Sequence, residues 1–350
     1  MSKKIHVGIL GATGMVGQRF IQLLDQHPQF EVTALAASER SESRNFADAC
    51  NWKLAGPMPS WVKSMPLQAC QVPLDCDLVF SSLPSSMAGT VETDFARSGY
   101  AVISNSSNHR MASDVPLLVP EINSEHIGLI DVQRKNRSWQ KGYIVTNPNC
   151  TTVALVLALA PLQQAFGIEA VIVSTMQALS GAGYPGVASL DIIDNVVPYI
   201  DGEEKKVESE PQKILGLMSN NSVIAADFPI SAQCHRVNVS DGHTEAVTIK
   251  LKKKTSVSAL IEVMENFQGE PQKLKLYSAP NKPVIVLNEQ NRPQPRLDRD
   301  LEKGMATIVG RVREDTILDF RFTLLGHNTI RGAAGAAILN AELLIAKGYI

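Results

Sequence analysis

The chain has 350 residues, 44 % of them apolar and 19 % charged, which is the make-up of a globular protein with material for two sizeable cores. A formal net charge of −2 excludes the strongly basic surface that non-specific nucleic-acid or anionic-membrane binding needs. The five cysteines, Cys50, Cys70, Cys76, Cys150 and Cys234, are scattered and contain no Cys-x-x-Cys pair; this suggests neither a disulfide framework nor a zinc ribbon, points to no metal, and fits free thiols in a reducing cytoplasm.

Lys3-Lys4 and the apolar residues after them mimic a short signal peptide. Glycines at motif spacing interrupt the run, so a first strand and turn explain it better. Ile5 to Leu10 reads as that strand. Gly11-Ala12-Thr13-Gly14-Met15-Val16-Gly17 follows, and Gln18 to Gln26 has helical periodicity through Phe20, Leu23 and Leu24. Gly11 allows a tight turn, Gly14 lets backbone approach a pyrophosphate, and Gly17 lets helix pack closely on strand. A strand before and a helix after make this a dinucleotide-binding loop, with Gly11, Thr13, Gly14, Met15 and Val16 as its expected cofactor contacts. A second strand, Phe30 to Leu35, ends in Ala36-Ala37-Ser38-Glu39-Arg40-Ser41. Ser38, Arg40 and Ser41 suit a 2′-phosphate, which favours NADP over NAD. Glu39 is the counter-evidence, since a carboxylate turned inward would serve the ribose hydroxyls.

Asp77 to Ser81, Tyr100 to Ser104 and Tyr143 to Thr146 read as further strands with small or polar ends. Ligands bind at the carboxyl ends of strands in such sheets, so Ser82 is a further cofactor candidate. Residues 112–141 have mixed polarity and read as an excursion, an intersubunit or lid feature.

Cys150 opens a helix in the run Thr146-Asn147-Pro148-Asn149-Cys150-Thr151-Thr152. A helix N-terminus favours thiolate, the nucleophilic form; taken alone, a buried structural cysteine is the plainer reading. The helix to Phe166 is apolar, but Val153 to Pro161 is too short to span a bilayer. Ile168 to Ala178 reads as a strand that delivers Gln177 near its end. The loop Ser180-Gly181-Ala182-Gly183 can approach a nicotinamide or serve as a plain connection. Asp201 to Lys213 is a charged run and reads as a solvated helix start. Arg236 and His243 are seven residues apart, with His243 at the start of a strand, Thr244 to Lys252. A loop between them could bring the two together. Val257 to Phe267 reads as a helix and Lys282 to Leu287 as a short strand. Met305 to Arg313 and Thr316 to Leu325 read as a hairpin, and Ile330 to Lys347 as an Ala-rich helix returning to the nucleotide-binding part. The expected fold is α/β: a Rossmann-type NADP-binding domain (1–149 and 327–350) and an α+β catalytic and dimerisation domain (150–326).

These motifs fall in one order: the glycine loop, Asn147 to Thr152, Gln177 with Ser180 to Gly183, Glu203-x-x-Lys206, then Arg236 and His243. Together they resemble the aspartate-β-semialdehyde dehydrogenases along essentially the whole chain. Arg292-Pro293-Gln294-Pro295-Arg296-Leu297-Asp298-Arg299 resembles the archaeal and fungal branch. The resemblance implies NADPH-dependent reduction of L-4-aspartyl phosphate to L-aspartate 4-semialdehyde with release of phosphate, on the route to lysine, threonine, methionine and isoleucine. Cys150 would form a thioester, and His243 would act as general base and acid near working pH. Gln177 would orient the acyl group, while the Cys150 N–H and Asn149 side chain would hold the oxyanion. Arg236 would grip the substrate carboxylate, Glu203 would face its ammonium, and Lys206 and Arg110 would bind phosphate. Ser180, Gly181, Gly183 and Asn328 join the cofactor contacts. A homodimer or homotetramer is implied. The alternative is an NADPH-dependent malonyl-CoA reductase, which shares the cysteine but has no ammonium to bind; Glu203-x-x-Lys206 argues against it.

Overall fold

Six short strands make the first sheet of this computed structural model, which describes residues 4–38 and 41–350. They are β1 (Ile5–Leu10), β2 (Phe30–Ala37), β3 (Leu67–Ala69), β4 (Leu78–Ser81), β5 (Ala101–Ser104) and β6 (Tyr143–Thr146). β4, β5 and β6 are buried at every residue, as expected of parallel strands covered on both faces. All pairings are parallel, in the order β3-β2-β1-β4-β5-β6. This is the doubly wound order of dinucleotide-binding sheets. The unit holding it comprises Met1–Leu118, Glu125–Asn147 and Ala333–Ile350.

The turn after β1 needs its glycines. Gly11 has φ +78°, and a Cβ there would lie 2.9 Å from the Ser82 carbonyl oxygen; one on Gly17 would lie 2.3 Å from the Gly11 carbonyl oxygen. Only hydrogen fits at both.

The excursion at 112–141 covers the sheet edge. Leu118 N–H donates to the Thr146 carbonyl and Thr146 N–H to that of Pro116, both at 2.9 Å. Outside β6 a helix, Leu129–Arg137, carries Gln133, whose side chain donates to the Ile144 carbonyl at 3.0 Å and accepts from the Ile144 N–H at 2.7 Å. The open backbone edge is thereby satisfied without a partner chain. The C-terminal helix Gly335–Ala346 also belongs to this unit, where Asn340 donates to Asn147 Oδ1 at 2.6 Å.

The second unit comprises Val119–Ser124 and Pro148–Gly332. Its sheet contains β7 (Ile168–Gln177), β10 (Ile230–Arg236), β11 (His243–Leu251), β12 (Val284–Leu287), β13 (Thr307–Glu314) and β14 (Phe320–Gly326), in the order β10-β7-β11-β14-β13-β12. It is mixed: β10 with β7 and β12 with β13 are parallel, and the other pairs are antiparallel. The helix Cys150–Phe166 lies on one face, buried from Thr151 to Leu162 and closed by Gly167 at φ +69°. Away from the sheet, β8 (Leu217–Ser219) and β9 (Ser222–Ile224) form a hairpin whose turn uses Asn220 and Asn221 at positive φ, as asparagine permits. The sequence signals did not single out β3, β8, β9 or β10. The first three are only three residues long, and β10 carries polar residues at alternate positions. The charged run forms a helix, Glu203–Ile214. The expected single helix from Ile330 is instead a π-helical turn, Ile330–Ala334, followed by Gly335–Ala346.

Candidate active site

Cys150 is the first residue of its helix, and Asn149 caps that helix. Asn149 Oδ1 accepts from the N–H groups of Thr151 (2.9 Å) and Thr152 (3.2 Å), satisfying two donors that a helix start leaves without partners. Its Nδ2 donates to Glu203 Oε1 at 2.8 Å, and its backbone N–H donates to Glu210 Oε2 at 2.6 Å. Glu203 and Glu210 lie two turns apart on one helix face, so this helix sets the position of the cap. The solvated helix expected from composition therefore has a buried acidic face. Lys206 Nζ donates to Glu203 Oε2 at 3.2 Å.

Strand register brings the next three residues together. Arg236 on β10 lies beside Gln177 on β7, and Thr244 on β11 lies opposite Met176. Arg236, Gln177 and His243 therefore lie at one end of three adjacent strands. All three are buried. Cys150 Sγ and His243 Nε2 are 3.3 Å apart. His243 Nδ1 accepts from the Ala178 N–H at 3.0 Å. A neutral imidazole with Nδ1 accepting carries its proton on Nε2, and that proton faces the sulfur. Arg236 Nη1 donates to the Ala178 carbonyl at 2.7 Å, and Gln177 Nε2 donates to Thr175 Oγ1 at 3.3 Å. Asn328 Nδ2 donates to Ser180 Oγ at 2.8 Å, and its Oδ1 accepts from the Gly242 N–H at 2.8 Å. Ser180 and the turn before His243 are thus tied to one side chain.

Titration near neutral pH was the expected basis of the His243 role, and the environment works against it. Burial, then the charges of Arg236 and His327, push the ring down to about 3. A second proton would also set Nδ1–H against the Ala178 N–H. The pattern favours a donor at Nε2 over a base that takes up a solvent proton. The unfolded chain protonates this ring at about pH 6.5, the folded one only at about pH 3. Between those values the unfolded state binds more protons, so His243 lowers stability as pH falls through that window and has no such effect above it. We expect the urea midpoint of wild type to drop more between pH 7.5 and 5.0 than that of His243→Gln; equal drops would show that the buried ring is not the source.

The other thiols are poor nucleophiles. Burial pushes Cys50 to about 11, Cys76 to about 12 with help from Asp77 and Asp75, and Cys234 to about 11; it also raises Cys70. Iodoacetamide at pH 7.5 should therefore label Cys150 first, which peptide mass mapping at substoichiometric reagent will read. Dominant labelling of any other cysteine would contradict this. Glu245, two residues beyond His243 on the same strand face, is fully buried with neither carboxyl oxygen hydrogen-bonded. Burial, then Glu203, hold it well above the usual carboxylate range, which favours the neutral acid.

The remaining candidates lie in the first unit. Gly14 precedes the ten-residue helix Met15–Leu24, and a Cβ there would meet only the Gly11 carbonyl oxygen, at 3.4 Å. That cradle, open at a helix N-terminus, fits a dinucleotide pyrophosphate. Thr13, Met15 and Val16 are half-buried around it, and Ser82 Oγ donates to the Leu10 carbonyl at 2.9 Å. Ser38 is exposed and Ser41 half-buried, joined by a 2.8 Å turn hydrogen bond, whereas Arg40 and Glu39 lie outside the described residues. Gly183, at φ +71°, has open space where a side chain would be. Arg110 is buried after β5 and donates from Nη2 to the Asn105 carbonyl at 2.7 Å. Sequence reasoning did not single out Glu210 or the Ala178 N–H. The spacing from Glu203 to Glu210, two helical turns, was the available signal for the first; a backbone donor leaves none. Among the described residues no helix is long and apolar enough to cross a membrane.

Comparison with known proteins agrees in both halves. Residues 6–130 match the semialdehyde dehydrogenase NAD binding domain and residues 159–331 the semialdehyde dehydrogenase dimerisation domain. The chain is 54 % identical over 344 residues to aspartate-semialdehyde dehydrogenase of Methanothermobacter thermautotrophicus, covering 97 % of this chain and 99 % of that one. It is 48 % identical over 354 residues to the Schizosaccharomyces pombe enzyme of the same name, covering 98 % and 99 %. The crystal structure of aspartate semialdehyde dehydrogenase with NADP from Candida albicans superposes with a TM-score of 0.91 at 42 % identity, covering 99 % of this chain and 100 % of that one. A Vibrio cholerae aspartate semialdehyde dehydrogenase II complexed with ASA gives 0.79 at 26 % identity, again covering 99 % and 100 %. A helix-start cysteine beside a histidine of the mixed sheet, a doubly wound dinucleotide sheet and full-length likeness to archaeal and fungal enzymes lead to one conclusion: the chain belongs to the aspartate-semialdehyde dehydrogenase family.

Proposed function

We propose that this protein reduces L-4-aspartyl phosphate to L-aspartate 4-semialdehyde with NADPH, releasing phosphate, in the biosynthesis of lysine, threonine, methionine and isoleucine. The observation that carries the reading is Cys150 Sγ 3.3 Å from His243 Nε2 in a chain that matches the family end to end. The substrate is a small acyl phosphate with an α-carboxylate and an ammonium. The relatives named above favour it over a CoA thioester.

Cys150 attacks the acyl carbon as thiolate, held in that form by the helix N-terminus and the His243 Nε2–H. The bond from carbon to phosphate oxygen breaks with its electron pair on phosphate, leaving a thioester on Sγ. The backbone N–H of Cys150 and the second Nδ2 hydrogen of Asn149 stabilise the oxyanion, and Gln177 orients the acyl group. NADPH, when bound, supplies the hydride that reduces the thioester carbonyl. His243 then donates its Nε2 hydrogen bond to the developing oxyanion, and Sγ leaves again as thiolate.

Substrate charge is matched group by group. Arg236 binds the carboxylate, its plane fixed by the bond to the Ala178 carbonyl. Glu203 and Lys206 form a salt bridge at 3.2 Å. The substrate exchanges it: its ammonium takes Glu203, and its phosphate takes Lys206 together with Arg110. For the cofactor we assign Gly11, Thr13, Gly14, Met15, Val16 and Ser82 to the pyrophosphate and ribose side. Ser38, Arg40 and Ser41 are assigned to the 2′-phosphate, and Ser180, Gly181, Gly183 and Asn328 to the nicotinamide end. The dimerisation-domain match and exposed Ile172 on the outer face of β7 support a homodimer or homotetramer built through the second unit. Free thiols at all five cysteines support a cytoplasmic setting.

The test is NADP reduction with aspartate semialdehyde in the presence of phosphate or arsenate. Anion-dependent reduction is expected. Oxidation of NADPH with malonyl-CoA and none of the anion-dependent reaction would overturn the reading.

A further inference from the structure

The π-helical turn Ile330–Ala334 presses on the nucleophile through a glycine. A Cβ built on Gly332 would lie 2.6 Å from the Cβ of Cys150, 3.0 Å from its Cα and 3.2 Å from its carbonyl oxygen. None of these atoms is a flexible side-chain tip, so a methyl group there forces either the turn or the cysteine to move.

The turn is poorly placed to yield. Gly332 N–H donates to the His327 carbonyl at 3.0 Å. Arg331 is fully buried and makes a two-pronged bond to Glu121, Nη1 to Oε1 at 2.8 Å and Nη2 to Oε2 at 2.6 Å. Glu121 is backed in turn by Gly269, where a Cβ would lie 2.3 Å from the Glu121 Cα. The histidine has a glycine close to it as well: a Cβ on Gly181 would lie 2.8 Å from Arg236 Nη1, 3.0 Å from His243 Cε1 and 3.2 Å from Nε2. Cys150 and His243 therefore each have a glycine backbone close against them. π-Helical turns concentrate at functional sites, and the catalytic sequence above gives this one no part.

We infer that Gly332 is a positioning residue: its missing side chain lets the Arg331-anchored turn seat Cys150 so that Sγ stays on His243 Nε2. The inference rests on Cys150 being the nucleophile.

Gly332→Ala tests it. We expect kcat to fall by about 100-fold, the scale of an ångström-sized misplacement, and Cys150 alkylation by iodoacetamide to slow, with KM for aspartate semialdehyde little changed. Gly216→Ala is the structural control. Its Cβ would lie 2.5 Å from the Ile224 carbonyl oxygen, at the β8–β9 hairpin, so it should lower thermal stability but leave kcat and the alkylation rate as in wild type. Should Gly332→Ala fail to fold, Arg331→Lys decides, because lysine cannot reproduce the two-pronged bond: a lower kcat with slower alkylation at unchanged KM supports the role. Wild-type kcat and alkylation in Gly332→Ala, or in Arg331→Lys where that variant decides, overturn it. An active Cys150→Ala enzyme would instead overturn the nucleophile assignment.

Discussion

Cys150→Ala is expected to lower turnover by on the order of 10⁴-fold or more, because a nucleophile acting in a unit with its partner groups cannot be replaced piecemeal. NADPH binding should stay nearly intact. The glycine loop that accepts the pyrophosphate belongs to the first unit, whereas Cys150 belongs to the second. Steady-state rates and an NADPH fluorescence titration measure the two separately. Cys150→Ser should be as inactive as the alanine variant: it keeps the shape, but a hydroxyl ionises far less readily than a thiol. Near-wild-type turnover in either variant would remove the thioester from the mechanism.

Arg236→Lys should raise KM for aspartate semialdehyde by about 10-fold or more, equivalent to roughly 1.5–3 kcal/mol for lost hydrogen bonds to a charged group. The guanidinium has five donors in one plane, and the Ala178 carbonyl fixes that plane through Nη1 at 2.7 Å. A lysine ammonium keeps the charge, but one nitrogen cannot hold the carbonyl and both carboxylate oxygens in fixed geometry. The loss should fall on KM more than on kcat, since the carboxylate is bound in ground and transition states alike. Unchanged kinetics would mean that the carboxylate is recognised elsewhere.

Local signals carried the first half of the protein far. A strand, a glycine loop and a helix in immediate succession are a contiguous physical object, so Gly11, Gly14 and Gly17 were readable from spacing alone. The place of Cys150 at a helix start was readable in the same way, but taken alone a buried structural cysteine was the plainer reading, and its role came only from the order of all the motifs together. Where an element is short or half polar, the signal fails. Strand β10 alternates buried and open residues, Ser231, Gln233 and His235 standing between Ile230, Ala232, Cys234 and Arg236, and its partner β7 lies more than fifty residues earlier in the chain. The acidic face of Glu203–Ile214 was hidden for a related reason: composition reports charge, but not whether a capped helix stands opposite to receive it.

The chain order of its motifs alone determined the class of chemistry, a thiol nucleophile with a reducing dinucleotide, and the family. Only the folded sheet decided how the groups meet. Gln177, Arg236 and His243 become neighbours because β7 pairs with β10 on one side and β11 on the other, and pairings between distant segments leave no local trace. The proton on His243 Nε2 depends on the backbone N–H of Ala178, and the seat of Cys150 on the missing side chain of Gly332. A backbone donor and an absent methyl group have no letter code of their own, so three-dimensional contact alone gives them a role.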